Sequence, residues 1–210
     1  MVIPLDFAII LEKSFNLELI YPLILASTSP RRQELMAQIG YKFTIIPPPY
    51  HEPDFSPSPA QTALAWAQAL AYFKARAIAQ TNPEAIVIGA DTIVTHNDTI
   101  IGKPRDKQHA RQILTTMFGG KNEVITGLAV LCPARNKRII TYENSTLVMR
   151  PMKKEEVNTY LASGAWRGKA GAYALQEGGD KFVQSIEGSE SNIVGLPLEK
   201  LREVLSFFEK

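Results

Sequence analysis

The chain has 210 residues, of which 45% are hydrophobic and 21% charged, a composition typical of a globular protein that can bury a core. The formal net charge of +2 is too small for bulk electrostatic attraction to nucleic acid, so we expect no nucleic-acid partner. Cys132 is the single cysteine. It excludes an intrachain disulfide and a thiolate zinc site, and it fits a reducing compartment, the cytoplasm.

The first segment, residues 1–22, has neither the basic start nor the small-residue cleavage site of a signal peptide. Glu12 and Lys13 interrupt its apolar stretch, so it does not predict a membrane span. We expect an N-terminal extension that packs on the body or is in part disordered. A docking role for a partner is the alternative.

In the first half of the chain, apolar runs that predict strands alternate with segments of helical periodicity. In chain order these are a strand at 23–27, a helix at 30–40, a strand at 42–46, a helix at 60–80 and a strand at 84–94. Ser29 is positioned to cap the first helix, and the last strand is expected to break at Gly89. The segment 47–59 predicts an extended loop, and Asn97-Asp98 predicts the turn of a hairpin.

The second half of the chain continues the alternation. Predicted elements are a helix at 106–117, two paired strands at 122–132 and 138–149, a helix at 153–163, a strand at 181–186 and a helix at 198–208. We find no repeat and no break in composition that would mark an independent second domain. The pattern therefore predicts one α/β domain over residues 23–210, with a mixed twisted sheet and flanking helices.

Basic side chains follow the first predicted strand at the point where the chain enters a helix. Ser27 and Ser29 precede the adjacent residues Arg31 and Arg32. A helix N-terminus offers free N–H groups and a positive dipole end, and arginine binds phosphate oxygens with two hydrogen bonds. The stretch predicts a phosphate cradle. The alternative is a pair of solvated surface cations.

Three further charged residues stand in the central part of the sequence. Asp91 directly follows a buried apolar run, where a carboxylate typically holds a divalent metal or acts on water, although a capping pair with Thr92 is the alternative. Lys103 lies in a tight turn between a glycine and a proline, and Lys74 lies in a helix with many small neighbours. For both lysines the alternative is an ordinary solvent-exposed side chain.

Two glycine-containing motifs lie near the C-terminus. In "GKAGAYALQEGG", glycines allow close approach of the backbone to a ligand, and the amide of Gln176 can read a base edge. A connecting loop is the alternative. In "SNIVGLP", Asn192 precedes a turn that leads into the last helix, and a purely structural role is the alternative.

The ordered combination of these motifs is more specific than any one of them. "LASTSPRRQEL", "KA" at Lys74-Ala75, "IGADTIV", "GKP", "TGLAV", "KAGAYALQ" and "SNIVGLP" occur in this order over about residues 23–205. This resembles the Maf family of nucleoside triphosphate pyrophosphatases. The resemblance implies two lobes around a central cleft, similar to inosine triphosphate pyrophosphatases.

The resemblance also implies an activity, a cofactor and a compartment. The expected reaction is cleavage of the α–β phosphoanhydride of a nucleoside triphosphate to a monophosphate and pyrophosphate, with Mg²⁺ or Mn²⁺, in the cytoplasm. The "ADT" and "AYALQ" versions of the motifs resemble the branch of the family that acts on dTTP and UTP. Modified pyrimidine triphosphates stay open as further substrates. A homodimer is left open.

Site residues follow from the resemblance position by position. Asp91 matches the catalytic acidic residue and, with Glu52, a metal ligand. The positions that match base-preference residues are Arg31, Thr92 and Gln176. Those that match other contacts to substrate or metal are Ser29, Arg32, Glu52, Lys74 and Lys103.

The sequence departs from the family pattern at a few positions. Glu123 stands where histidine is common and Gly168 where aspartate is common, and the second leaves the role of Lys169 in doubt. Two other functions stay open: a nucleotide-sensing or septum-inhibition module that binds without turnover, and a pyrophosphatase for modified purine triphosphates.

Overall fold

The computed structural model describes residues 21–49, 62–173 and 180–209. The strands are β1 (Leu23–Leu25), β2 (Thr44–Ile45), β3 (Ile86–His96), β4 (Thr99–Ile101), β5 (Lys121–Cys132), β6 (Lys137–Met149) and β7 (Val183–Glu187). The helices are α1 (Pro30–Ala37), α2 (Ala63–Ala79), α3 (Lys107–Met117), α4 (Lys154–Ser163), α5 (Glu190–Val194) and α6 (Leu198–Ser206). The α/β class with a mixed sheet and flanking helices is confirmed.

One sheet contains all seven described strands. Its order is β2-β1-β3-β5-β6-β7, and β4 pairs with β3 outside this path. The strands β2, β1 and β3 are parallel, whereas β4, β5, β6 and β7 join by antiparallel pairs. The long strands β3 and β5 lie in the middle of the sheet and pair without a register shift from Val87 to His96.

Most predicted elements form within a few residues of the expected bounds. Asn97 and Asp98 adopt positive φ angles of 48° and 60° at the β3–β4 turn, as a two-residue hairpin requires. The predicted break at Gly89 is wrong, because β3 runs through this residue in continuous register with β5. The short helix α5 was not predicted from the "SNIVGLP" motif.

Helix α2 lies directly on the backbones of β3 and β5. A Cβ at Gly89 would stand 2.3 Å from the carbonyl oxygen of Ala71, and a Cβ at Gly127 would stand 2.3 Å from that of Ala67. Glycine is therefore needed at both strand positions for close approach of the helix and not for an unusual φ angle. The apparent break in the strand pattern at Gly89 marks this contact.

The opposite face of the sheet carries two separate hydrophobic clusters. One packs α1 and α6 on the half of β3 that contains Ile86 and Ile88. The other packs α3 and α4 on the half that contains Val94. Thr92 lies between these halves on the same face, because side chains of alternate strand residues share a face. The middle of β3 is thus the boundary between two packing units.

None of the helices in the described part of the chain has the length and apolarity that crossing a bilayer requires. The expected N-terminal extension falls almost entirely in residues 1–20, outside the described ranges. Its boundary at residue 22 and its role stay predictions.

The contact at Gly127 makes a testable prediction. Gly127→Ala places a methyl group against the backbone of α2, which must move away from the sheet. We expect a loss of about 3 kcal/mol in the free energy of unfolding, the scale of overpacking in a core. In a thermal melt this corresponds to a Tm lower by roughly 6–12 °C.

Gly102→Ala is the matched control. A Cβ at Gly102 meets no atom within 4 Å, so the Tm should stay near that of the parent chain. An unchanged Tm for Gly127→Ala would contradict the close contact of α2 with β5.

Candidate functional site

Within the described residues, strands pair with only part of the β3 edge that faces away from β5. β1 pairs with β3 over Ile86–Ile88, and β4 pairs with it over Val94–His96. The residues between these pairings, 89–93, have neither strand beside them. We call this stretch the β3 gap.

Two strands end at the β3 gap from opposite directions. β1 runs parallel to β3 and ends opposite Ile88, while β4 runs antiparallel and ends opposite Val94. The chain after β1 enters α1 with its two arginines, and the chain after β4 reaches Lys103 two residues later. Ligands of open α/β sheets bind beyond the carboxyl ends of strands, so this geometry favours a binding site at the gap.

The backbone of β3 also presents polar groups to the gap. The N–H of Ile86 donates to Pro22, and the carbonyl of Ile88 accepts from Ala26, so the backbone groups of even-numbered residues face β1. The same alternation directs the N–H and C=O groups of Ala90 and Thr92 into the gap. A ligand there meets hydrogen-bonding backbone as well as side chains.

On the α2 face of β3, the site holds a buried ion pair. The ammonium of Lys74 donates a hydrogen bond to Oδ1 of Asp91, and each residue is only 6% exposed. Lys74 follows Ala71 by three positions on α2, so the contact of α2 with Gly89 brings this lysine onto the strand. The alternative of a solvent-exposed Lys74 is thereby excluded.

On the opposite face, Arg32 joins α1 to β3 and to the turn after α5. Its Nε donates to the carbonyl of Gly195 at 2.7 Å, and its Nη2 donates to Oγ1 of Thr92 at 3.1 Å. Gly195 has a φ of 125°, and a Cβ there would lie 3.3 Å from Thr92 Oγ1. Glycine therefore suits this position for conformation and for space.

Two buried residues that the sequence analysis did not place in the site continue this network. Thr126 lies opposite Thr92 on β5, with 2.9 Å between the hydroxyl oxygens. The Thr126 hydroxyl donates to the backbone carbonyl of Asn192 at 3.0 Å. Both residues belong to motifs seen in the sequence, Thr126 to "TGLAV" and Asn192 to "SNIVGLP". The contact of Thr126 with Thr92, however, depends on the register of β5 against β3, which the motifs do not give.

The other predicted residues occupy different surroundings. Ser29 precedes α1, and its N–H donates to the hydroxyl of the buried Ser27 at 3.1 Å. Arg31 is half-buried, and Lys103 is exposed. Glu52 and Gln176 lie outside the described residues, so their placement beside the gap stays a prediction.

The segment that leads to Gln176 is tied to the β4 side of the gap. The N–H of Gly171 donates to the carbonyl of Gly102, next to Lys103, at 3.3 Å. Lys169 instead donates to the carbonyl of Ala165 at 2.6 Å, which directs its ammonium to the turn after α4.

A metal at this site would have few protein ligands. Within the described ranges no three His, Cys, Asp or Glu side chains are grouped so as to hold a metal ion. Among the described residues Asp91 supplies the carboxylate at the gap, and Lys74 donates its hydrogen bond to Oδ1 of this group. This donor set fits a cation such as Mg²⁺, which takes one or two carboxylates and completes its shell with water and phosphate oxygens.

Comparison with known proteins gives a consistent result. The family model described as Maf-like protein matches residues 22–208. A protein of Ruminiclostridium cellulolyticum named dTTP/UTP pyrophosphatase is 40% identical over 87% of this chain and 94% of its own length. A protein of Alkaliphilus metalliredigens with the same name is 43% identical over 87% of this chain and 94% of its own.

The Lys74–Asp91 pair makes a prediction about stability. Lys74→Met leaves the Asp91 carboxylate buried without its cation, and breaking a buried pair in this way costs about 3–5 kcal/mol. Denaturant unfolding of the variant should show this loss. Adding Asp91→Asn to Lys74→Met should restore part of the stability, because the unpaired charge is removed.

Arg76→Met on the exposed face of α2 is the control and should change stability by no more than about 0.5 kcal/mol. If Lys74→Met behaved like this control, the pair would not be a buried interaction in solution.

Proposed function

Because the chain belongs to the Maf family, we propose that it hydrolyses the α–β phosphoanhydride of dTTP and UTP, and of modified pyrimidine triphosphates, to a nucleoside monophosphate and pyrophosphate. Relatives named dTTP/UTP pyrophosphatase align with it over almost their entire length. The observation that carries the proposal is the β3 gap between the ends of two strands, where Lys74 pairs with Asp91 on one face and Arg32 bonds to Thr92 on the other.

The proposed reaction is a displacement at phosphorus. Water attacks the α-phosphorus, the bond from this atom to the bridging oxygen breaks, pyrophosphate leaves, and the water gives up a proton. A triphosphate carries about four negative charges near neutral pH. Positioning and neutralisation of this charge therefore matter more than covalent chemistry of the protein.

We assign the residues of the gap to three tasks. Arg31, Lys103 and the N-terminus of α1 bind phosphate oxygens, since cations and free N–H groups stabilise phosphate there. Asp91 orients the attacking water and takes up its proton, and Lys74 fixes the carboxylate in place. Arg32 holds Thr92 and the Gly195 turn in position. From the family resemblance we infer a fourth task, preference for the base, for Thr92, Gln176 and, in addition to its phosphate contact, Arg31.

A divalent cation, Mg²⁺ or Mn²⁺, belongs to this proposal. Asp91 and, from the resemblance, Glu52 would hold it together with phosphate oxygens. The bound ion would supply charge neutralisation and lower the pKa of water.

The compartment and the assembly are also part of the proposal. A cytoplasmic location agrees with the lone, buried Cys132. The homodimer and the absence of a nucleic-acid partner stay predictions.

A substrate panel tests the activity. With Mg²⁺ or Mn²⁺, the chain should release pyrophosphate from dTTP and UTP faster than from CTP, ATP and GTP. Asp91→Asn keeps the shape of the side chain but removes its charge, so turnover of dTTP should fall at least ~100-fold. Nucleotide binding without pyrophosphate release by the parent chain would favour a sensing module, and a preference for modified purine triphosphates would favour that alternative.

The two arginines should respond differently to substitution. Arg31→Ala should raise the KM for dTTP and leave the Tm unchanged, because Arg31 has no hydrogen bond or ion pair to other described residues. Arg32→Ala should lower both kcat/KM and the Tm, because it removes two hydrogen bonds between α1, β3 and the Gly195 turn. Parallel kinetics and thermal melts measure both effects. Equal behaviour of the two variants would contradict this division of roles.

A further inference from the structure

The hydroxyl groups of Thr92 and Thr126 form a chain whose direction can be deduced. Both residues lie on the face of the sheet opposite α2, directly across the β3–β5 pair. Arg32 Nη2 donates to Thr92 Oγ1 at 3.1 Å, the two hydroxyl oxygens are 2.9 Å apart, and Thr126 Oγ1 lies 3.0 Å from the carbonyl oxygen of Asn192.

A count of hydrogens fixes the donor at each link. A hydroxyl has one hydrogen, a carbonyl oxygen only accepts, and a guanidinium only donates. The hydrogen of Thr126 is therefore used on Asn192, so the bond between the two hydroxyls must use the hydrogen of Thr92. Thr92 donates to Thr126 and accepts from Arg32. Toward any further group, the Thr92 hydroxyl can act only as an acceptor.

The Asn192 carbonyl, which fixes the direction of this hydrogen-bond chain, belongs to a residue that is held by further hydrogen bonds. The side-chain amide of Asn192 donates to the carbonyl of Val124 at 2.8 Å and to the hydroxyl of Ser145 at 2.9 Å, and the residue is fully buried. Its backbone N–H donates to the hydroxyl of Ser189, which caps α5. Thr126 is also fully buried, whereas Thr92 is half-buried and keeps surface that a ligand can reach.

We propose that Thr126 is a specificity-determining residue, which fixes the Thr92 hydroxyl as an acceptor and so selects pyrimidines that carry a hydrogen on N3. Uracil and thymine present this N3–H donor to Thr92. Cytosine presents an N3 lone pair, which an acceptor repels. The inference rests on the proposed function, which places Thr92 at the base, and it assigns the discrimination to a residue that does not itself touch the ligand.

Substitution of Thr126 separates this role from a merely structural one. Thr126→Val keeps the shape but removes the acceptor, so the Thr92 hydroxyl can rotate and donate to cytosine N3. The ratio of kcat/KM for UTP to that for CTP should fall about tenfold, the effect of one hydrogen bond. Thr126→Ser keeps the hydroxyl and should keep the ratio of the parent chain.

Five outcomes distinguish the possibilities. A ratio that falls in Thr126→Val but not in Thr126→Ser supports the inference. An unchanged ratio, an equal loss on UTP and CTP, or a parent chain without preference between them overturns it and leaves the pyrophosphatase activity standing. A parent chain that hydrolyses neither nucleotide overturns the proposed function and this inference with it. Thr126→Ala, which also lacks the hydroxyl, replaces Thr126→Val if the latter does not fold.

Discussion

Direct contact between the backbone of α2 and the backbones of β3 and β5 is the constraint on which the arrangement of the site depends. Without side chains at Gly89 and Gly127, the helix sits closer to the sheet than any residue with a Cβ would allow. This depth places Lys74 beside Asp91 and encloses both groups. The buried ion pair is thus a consequence of two missing side chains on the strands.

The two faces of β3 carry different polar groups of the site. Asp91 and Thr92 are adjacent in sequence, but their side chains point to opposite faces, as in any regular strand. The α2 face carries the charged pair, and the other face carries a hydrogen-bond network that ends on a backbone carbonyl. Both faces border the same stretch of strand edge, because among the described residues neither β1 nor β4 pairs with β3 between residues 89 and 93.

Residue patterns predicted the elements well and the site only in part. Periodicity and the Asn97-Asp98 turn are local signals, and the elements that they predict are present. Ser29 occupies the N-cap position of α1 as expected, but its side chain makes no capping hydrogen bond. Lys74 could not be assigned to Asp91, because its burial depends on how α2 crosses the sheet. Thr126 was missed because only the strand register brings it to Thr92. Gly89 is the sequence feature that indicates this crossing of α2, but a glycine within a strand pattern was interpreted as a break in the strand.

The contacts on the two sides of the β3 gap differ in sequence separation, that is, in how many residues lie between the contacting groups. The β3–β4 hairpin closes through a two-residue turn, whereas the hydrogen bond from Arg32 to Gly195 joins residues 163 positions apart. Local contacts form early in folding and distant ones late, because long loops lose more entropy on closure. During synthesis, the hairpin can form long before Gly195 and Asn192 leave the ribosome. A nascent chain therefore carries half of a binding site and acquires the other half only after Gly195 has been synthesised.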